Sequence, residues 1–463
     1  MIYLKTYQDL QNLKETNLTI NNLMNFVKEV MEQHKDTEIY KTAVIAYEYF
    51  KHRNITIVQF QKLLYTVTGN AIPDNWSANY KLACRHFYRF ITQENQFLLG
   101  NGVNWQDSNT ADKLGTKAKP FDNQLQDVAV NALIGAVAYG FYNYDHIDVF
   151  KITEFAPLYD EFNGALKAGV RFWQIAENKP LRATLYELDG YTEFAWIGEE
   201  KITMSDEWRK AENGCYYKNK KPYKLKVKKT IADGEQIVDG ENYPEFPIVP
   251  LWANKEKQSE IVGLREQIDC YDLIKSGLAN NVDDASLIYW TITNADAMTD
   301  KDLARFKERI KTIQAVTLGD EVDVQSHQID VPYQSREVLL DRIDKDLYRD
   351  AMALDVDRIA NGAVTATQIE AAYEPLNSKC DMFEYCVLDF IYKIMELAEI
   401  EDEPTFTRSM IVNVSEQIQN IVQASPNLPE EYVTEKILTI LGDKDRAEEI
   451  IAKMQADSLP IVE

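Results

Sequence analysis

Gln334-Ser-Arg-Glu-Val-Leu-Leu-Asp-Arg-Ile-Asp-Lys-Asp-Leu-Tyr-Arg-Asp-Ala-Met-Ala-Leu354 carries two stripes at once. At about 100° per residue, Leu339, Leu340, Ile343, Leu347, Ala351 and Leu354 share one side of a helix, while Arg342, Lys345 and Arg349 cluster on the opposite side within about 60°. Glu337, Asp341, Asp344, Asp346 and Asp350 flank the cations and leave the segment with no net positive charge. Taken alone, this is the pattern of a salt-bridged surface helix. The order of the parts around it is more specific.

Upstream, the proline-punctuated Tyr243-Pro-Glu-Phe-Pro-Ile-Val-Pro250 leads into a predicted helix over 258–285, with Leu264, Ile268, Tyr271, Leu278 and Val282 on one side and Arg265, Asp269, Asp272 and Asp283 on another arc. Residues 286–331 then read as strand (286–293), helix (300–313) and strand (316–324), a small α/β insert between the two long helices. Downstream, Asn361-Gly362 breaks the pattern. Thr367-Gln-Ile-Glu370 has the spacing of a capping box and restarts a helix to about residue 400, kinked by Pro375. A short β-type run over 409–414 and two or three short acidic helices follow.

The N-terminal hundred residues are mainly helical by pattern, as in the segment 17–31 and again in 81–99, where Phe87, Tyr88, Phe90, Ile91 and Phe97 recur three and four apart. From Asp145 the alternation shortens to period two, in His146-Ile-Asp-Val-Phe-Lys-Ile152, Arg182-Ala-Thr-Leu-Tyr-Glu-Leu188 and Thr192-Glu-Phe-Ala-Trp-Ile197. Asp-Gly and Asn-Gly turns separate these runs, which predicts an antiparallel β region ending near Pro250. The longest apolar run, 128–141, is interrupted by Asn131, is shorter than the ~20 residues of a spanning helix and reads as a core helix.

The 463 residues suffice for about three domains, and 45% hydrophobic with 27% charged residues is a globular composition. Fifty basic against 74 acidic residues give a net charge of −24, which disfavours static wrapping of nucleic acid and leaves transient or sliding contact open. Met1-Ile-Tyr-Leu-Lys-Thr-Tyr-Gln-Asp9 lacks the basic and apolar segments of a signal peptide, so a cytoplasmic site of synthesis is expected. Cys84, Cys215, Cys270, Cys380 and Cys386 form no C-x-x-C pair and read as free, packed thiols.

Signatures of catalysis are missing: no phosphate loop, no dinucleotide fingerprint, no H-E-x-x-H and no nucleophile elbow. His34, His52, His86, His146 and His327 have no ligand-like spacing, so neither metal nor cofactor is expected. Gly100-Asn-Gly102 reads as a helix C-cap rather than a phosphate turn. The tract from Lys218 to Lys229 carries seven lysines with strand-like alternation; it reads as a lysine-protected edge strand or, alternatively, as a contact for nucleic acid or an acidic partner.

The arrangement of helical and β modules, long helix, small insert, long helix, Gly-containing loop, kinked helix and acidic helical end resembles the portal proteins of tailed bacteriophages. The resemblance is to the family typical of long-tailed phages of Gram-positive hosts. Local stretches agree across about residues 40–420. They are Ala46-Tyr-Glu-Tyr-Phe-Lys51, Phe97-Leu-Leu-Gly-Asn-Gly102, Gly135-Ala-Val-Ala-Tyr-Gly140, Ala156-Pro-Leu-Tyr-Asp-Glu161, Phe246-Pro-Ile-Val-Pro-Leu-Trp-Ala-Asn254, Ser259-Glu260, Gln267-Ile-Asp-Cys-Tyr-Asp272 and Ala279-Asn-Asn-Val-Asp-Asp284.

The resemblance implies an α+β portal fold. It comprises a mixed wing (1–257), stem helices (258–285 and 332–355), a clip (286–331), a tunnel loop (356–366), a long kinked wing helix (367–404) and a short helical crown within 405–463. It further implies a non-enzymatic ring, usually of twelve subunits, at one capsid vertex of the virion, assembled in the host cytoplasm without a membrane. Double-stranded DNA would pass through it, and terminase, major capsid protein, scaffolding protein and a head-completion adaptor would be its partners. Arg342, Lys345, Arg349, Asp357, Arg358 and Asn361 would then face the tunnel, and Lys301, Arg305, Lys307, Arg309 and Lys311 of the clip would face terminase or adaptor. A carboxylate-dependent hydrolase and a monomeric interaction scaffold are the alternatives.

Overall fold

A computed structural model describes residues 4–65, 69–74, 77–107, 109–197, 207–211, 214–230, 236–285, 289–293, 299, 301, 323–327, 333–357, 366–409, 414–441 and 450–451. Helices and antiparallel sheets occupy separate stretches of chain, the α+β class expected.

Three helices open the chain, Tyr7–Asn17, Ile20–Asp36 and Glu38–Phe50. Each begins at a threonine, Thr6, Thr19 or Thr37, whose hydroxyl accepts an orphan N–H of the first turn. The second helix buries Met24, Val27 and Met31 against a six-stranded antiparallel sheet in the order 209–210, 215–217, 190–196, 181–187, 166–173, 155–159. Period-two alternation sends Ala168, Val170 and Phe172 into that contact.

The apolar run 128–141, expected as one helix, is divided. Helix Phe121–Gly135 ends, Ala136 turns the chain at φ 73°, and Val137–Asn143 becomes the central strand between His146–Lys151 and Ile248–Trp252. Both halves are buried on nearly all sides, so neither period was legible. Gly135 permits the approach, since a Cβ there would stand 2.9 Å from Ile152 Cγ2. The helix's last carbonyls are satisfied by Ser259-Glu260: Ser259 Oγ donates to Ile134 O at 2.6 Å and Glu260 N to Leu133 O at 3.1 Å.

The helix Ala366–Ala398 runs through Pro375 and lays Phe383, Val387, Phe390 and Ile394 on the principal core, which also takes in Phe87, Phe90, Leu347 and Leu354. The helix His86–Leu99 ends as expected at Gly100, and the Gly102 N–H returns to Leu99 O at 3.1 Å. Three other helix ends have no glycine. After residues 50, 350 and 398, His52, Met352 and Glu399 take the left-handed position, and the pairs Arg53 N to Glu48 O, Ala353 N to Tyr348 O and Ile400 N to Met395 O close the same C-terminal motif.

Other boundaries also shift. The first long helix begins at Arg265 rather than at 258, because residues 260–264 form turns with Gly263 at φ 85°. Most of the helix expected over 300–313, and residues 316–322 of the strand expected over 316–324, lie outside the described residues; Asp323–His327 is a strand that pairs antiparallel with Tyr289–Thr293. Residues 410–413 of the β-type run expected over 409–414 lie outside the described residues; Val414 already begins a helix, and the short strand Thr405–Phe406 pairs with Val103–Asn104. In the lysine tract the strand covers only Lys224–Thr230, paired with Gln236–Glu241. Its first lysines bind acids: Lys218 with Glu193 at 2.7 Å, Lys220 with Glu187 at 2.8 Å and Lys221 with Glu207 at 3.3 Å.

Gly140 seats the long helix on the central strand, since a Cβ there would lie 2.6 Å from Phe390 Cζ. Gly140→Ala is expected to destabilise the protein by about 1–3 kcal/mol through overpacking, measured as a fall in the urea midpoint at unchanged slope.

Candidate functional site

The helices Arg265–Ala285 and Tyr333–Asp350 pack side by side and antiparallel, joined through the strand pair 289–293 and 323–327. Gln267 donates to the Asp350 carboxylate near one end. Near the other, Asn281, its amide oxygen turned to the guanidinium, accepts from Arg336 at 2.8 Å.

The first of these helices is fastened along a polar stripe. An extended segment runs beside it, and alternate backbone N–H groups donate to side chains one turn apart: Tyr80 to Asn280 at 2.6 Å, Leu82 to Ser276 at 2.9 Å and Cys84 to Asp272 at 3.0 Å. Two extended residues advance about 6.6 Å and four helical residues about 6.0 Å, so the two repeats stay in register over three bonds. Asp272 is 0% exposed and also accepts from Asn54 Nδ2 at 2.9 Å. Burial pushes its pKa up, against the opposing pull of the Asn54 and Cys84 hydrogen bonds. Asp269 accepts from Tyr49 at 2.5 Å and Thr56 at 2.8 Å. Asp269 and Asp272 of the acidic arc are therefore structural.

The second helix is held at its C-terminal end. His86 Nε2 meets Asp344 at 2.9 Å, Arg89 bonds the Tyr348 hydroxyl, and Phe90 meets the Tyr348 ring edge-on at 5.3 Å. Beyond the helix, Gln93 takes both backbone groups of Leu354, donating to its carbonyl at 3.0 Å and accepting from its N–H at 2.9 Å. Lys379, from the long C-terminal helix, donates to Ala351 O at 3.3 Å and forms ion pairs with Glu94 at 2.7 Å and Glu260 at 2.8 Å. Burial pushes Glu94 up to about 7 in spite of Lys379. Burial alone would lower Lys379, but the two carboxylates outweigh it and hold its pKa above the usual lysine value.

Arg342, Lys345 and Arg349 are exposed on the far side of this helix. Each is paired within its own helix: Arg342 with Asp346 at 2.9 Å, Arg349 with the same Asp346 at 3.1 Å and Lys345 with Asp341 at 3.5 Å. The leucine stripe is buried only toward its end, at Leu347, Ala351 and Leu354. Leu339, expected in that stripe, is instead exposed, as are Tyr333, Val338 (70%) and, on the first helix, Leu273 and Val282 (59%).

Asp357 lies exposed just beyond the second helix, and Lys301 is exposed in the insert. Arg358, Asn361, Arg305, Lys307, Arg309 and Lys311 lie outside the described residues. Among the described residues no group of three or more His, Cys, Asp or Glu side chains could hold a metal ion. The fastening segment, the His86–Asp344 pair and the Lys379 node were not anticipated. The alternation of Tyr80, Leu82 and Cys84 was available as a signal, but its partners lie about 190 to 200 residues away.

The model of the family described as "Phage portal protein, SPP1 Gp6-like" matches residues 31–458. The portal protein of Bacillus phage SPP1 is 22% identical over 432 residues, 86% of this chain and 79% of that protein. The portal protein of Clostridium phage phiCD119 is 24% identical over 189 residues, 39% of this chain and 42% of that protein, so the chain spans less than half the length of that relative. Among solved structures, the neck of an empty gene transfer agent particle computed with C6 symmetry is 10% identical, with a TM-score of 0.44 over 77% of this chain and 90% of that one. The neck of the native particle, computed with C12 symmetry, is 9% identical, with a TM-score of 0.42 over 76% and 89%.

Lys379→Met leaves Glu94 buried without its cation and is expected to cost about 3–5 kcal/mol at pH 8. Glu94 has a raised folded-state pKa, so ionising it opposes folding; the penalty is absent below its unfolded value near 4.5 and, with Lys379 in place, accumulates only up to about 7, whereas without that cation the pKa rises further and the penalty keeps accumulating above 7. The loss in the variant should accordingly be smaller at pH 6 than at pH 8, read from paired denaturation curves at the two pH values.

Proposed function

Because the chain belongs to the SPP1 Gp6-like family of phage portal proteins, we propose that copies of it close into a ring of about twelve at one vertex of the capsid, as heterologous interfaces do when the rotation closes. The ring conducts double-stranded DNA during packaging and ejection. Residues 1–257 form its wing, 258–285 and 332–355 its stem, 286–331 its clip, 356–366 its tunnel loop, 367–404 the long wing helix and 405–463 the wing end and short crown. The clip residues Lys301, Arg305, Lys307, Arg309 and Lys311 meet terminase and then an adaptor, while capsid and scaffolding proteins hold the wing.

The observation that carries this reading is the helix pair, which exposes both apolar side chains and a row of cations. Leu273, Val282, Tyr333 and Leu339 are apolar and uncovered in the single chain, on more than one side of the pair, which suits contact with neighbouring copies, whereas the exposed Val338 lies within the arc of the cations. Arg342, Lys345 and Arg349 present three cations already paired with two carboxylates, Asp341 and the shared Asp346. DNA carries a negative charge every ~1.7 Å, and a wall of free cations would release counterions and hold it fast. Locally paired cations can guide a duplex without gripping it, and ring symmetry repeats each weak contact around the channel. Asp357, Arg358 and Asn361 continue the same wall into the loop. This reading gives the ring no catalytic step, and it is supported by Asp269 and Asp272 being occupied by backbone and side-chain donors.

Native mass measurement and negative-stain imaging are expected to give hollow rings for the wild type. Val282→Asp with Leu339→Asp, at exposed positions, is expected to leave the far-ultraviolet spectrum unchanged and the protein monomeric; rings of normal size from the double variant would refute the stem interface. Asp346→Asn releases Arg342 and Arg349 together. Rings carrying it are expected to retain DNA more tightly, with log affinity falling more steeply against log salt by about one to two per subunit engaged.

A further inference from the structure

We propose that Gln93 and Lys379 are positioning residues for the DNA-facing surface: together they fix residues 351–354, and through them the places of Arg349 and Asp357. This rests on the reading of that surface given above.

The need for such a device is visible in the backbone. The helix ends at Asp350, and Met352 turns the chain at φ 52°, a conformation that costs a side-chain-bearing residue free energy. The Ala353 N–H still returns to Tyr348 O at 3.0 Å, and from Leu354 on the chain has left the hydrogen bonds of its own helix. Gln93 supplies the direction. Its amide pairs with the N–H and C=O of one residue, Leu354, at 2.9 and 3.0 Å, as a neighbouring strand would. A glutamine does this with one side chain and fixes orientation as well as distance.

Lys379 holds the preceding residue. Its ammonium donates to Ala351 O at 3.3 Å while paired with Glu94 and Glu260. Glu94 adjoins Gln93 on the helix His86–Leu99, and Glu260 stands five residues before the first long helix. One buried cation therefore ties the root of the second helix to the root of the first. Ala351 and Leu354 are themselves buried, so the held segment is anchored from below as well.

The test uses assembled full-length rings of three variants. Gln93→Ala removes both bonds to Leu354. Gln93→Asn keeps an amide that is one methylene too short to make both, and it stands in should the alanine variant fail to assemble. Leu158→Ala, in the separate core under the six-stranded sheet, is a destabilised control away from the clamp. Expected for either Gln93 variant are rings of unchanged subunit number, about tenfold faster exchange of the Leu354 amide, and terminase-driven packaging slowed about tenfold, with packaging by the control unchanged.

Unaltered Leu354 exchange overturns the clamp. Faster exchange with normal packaging overturns its positioning role, as does an equal loss in the Leu158→Ala control. Wild-type rings that fail to conduct DNA overturn the functional reading, and this inference with it.

Discussion

The agreement between two lengths, four residues of helix and two of extended chain, is the constraint on which the site depends. Asp272, Ser276 and Asn280 stand one turn apart, and the N–H groups of Cys84, Leu82 and Tyr80 meet them one for one. An isolated amphipathic helix would need its apolar face to hold it in place. Here the polar face is held too, by backbone donors that cannot change identity by mutation. The helix Arg265–Ala285 thus has a set height and rotation relative to the N-terminal module, and the second long helix, packed against it, inherits both.

Charge is used in two opposite ways within a short distance. Around Lys379 it is buried and shared: one ammonium serves two carboxylates and a carbonyl, and removing any member leaves a charge or dipole with no solvent to receive it. On the outer surface of the second helix the charges are exposed and paired within one helical turn, an arrangement worth only a few tenths of a kcal/mol per pair. The first arrangement joins elements. The second adjusts the potential that a passing polyanion meets while joining nothing.

Much of this was legible before the coordinates. The helical start, the antiparallel middle, the two long helices and the long C-terminal helix follow from periods of 3.6 and 2 over enough residues to distinguish them. Periodicity failed where burial was complete: Val137–Asn143 is nearly all buried, so a strand looked like the continuation of a helix. It failed again at helix ends, because His52, Met352 and Glu399 occupy positions where a glycine would have marked the stop. The paired cations could be placed on a wheel, since their partners lie three or four residues away. The Lys379 node could not, because its members come from residues 94, 260 and 379 and each is an ordinary surface-type residue until the fold buries it.

The distribution of fastenings along the helix Tyr333–Asp350 has a mechanical corollary. Its ties to the body of the protein through Ile343, Asp344, Leu347 and Tyr348 lie toward its C-terminal end. The preceding stretch leans on its antiparallel companion, with Arg336 bonded to Asn281. Ten residues of helix make an arm of about 15 Å. The second helix is therefore clamped at its root and propped toward its tip by a companion that the extended segment holds as far as Asn280, so a sideways load on the tip passes into Tyr80 and the N-terminal module as well as into His86 and Lys379.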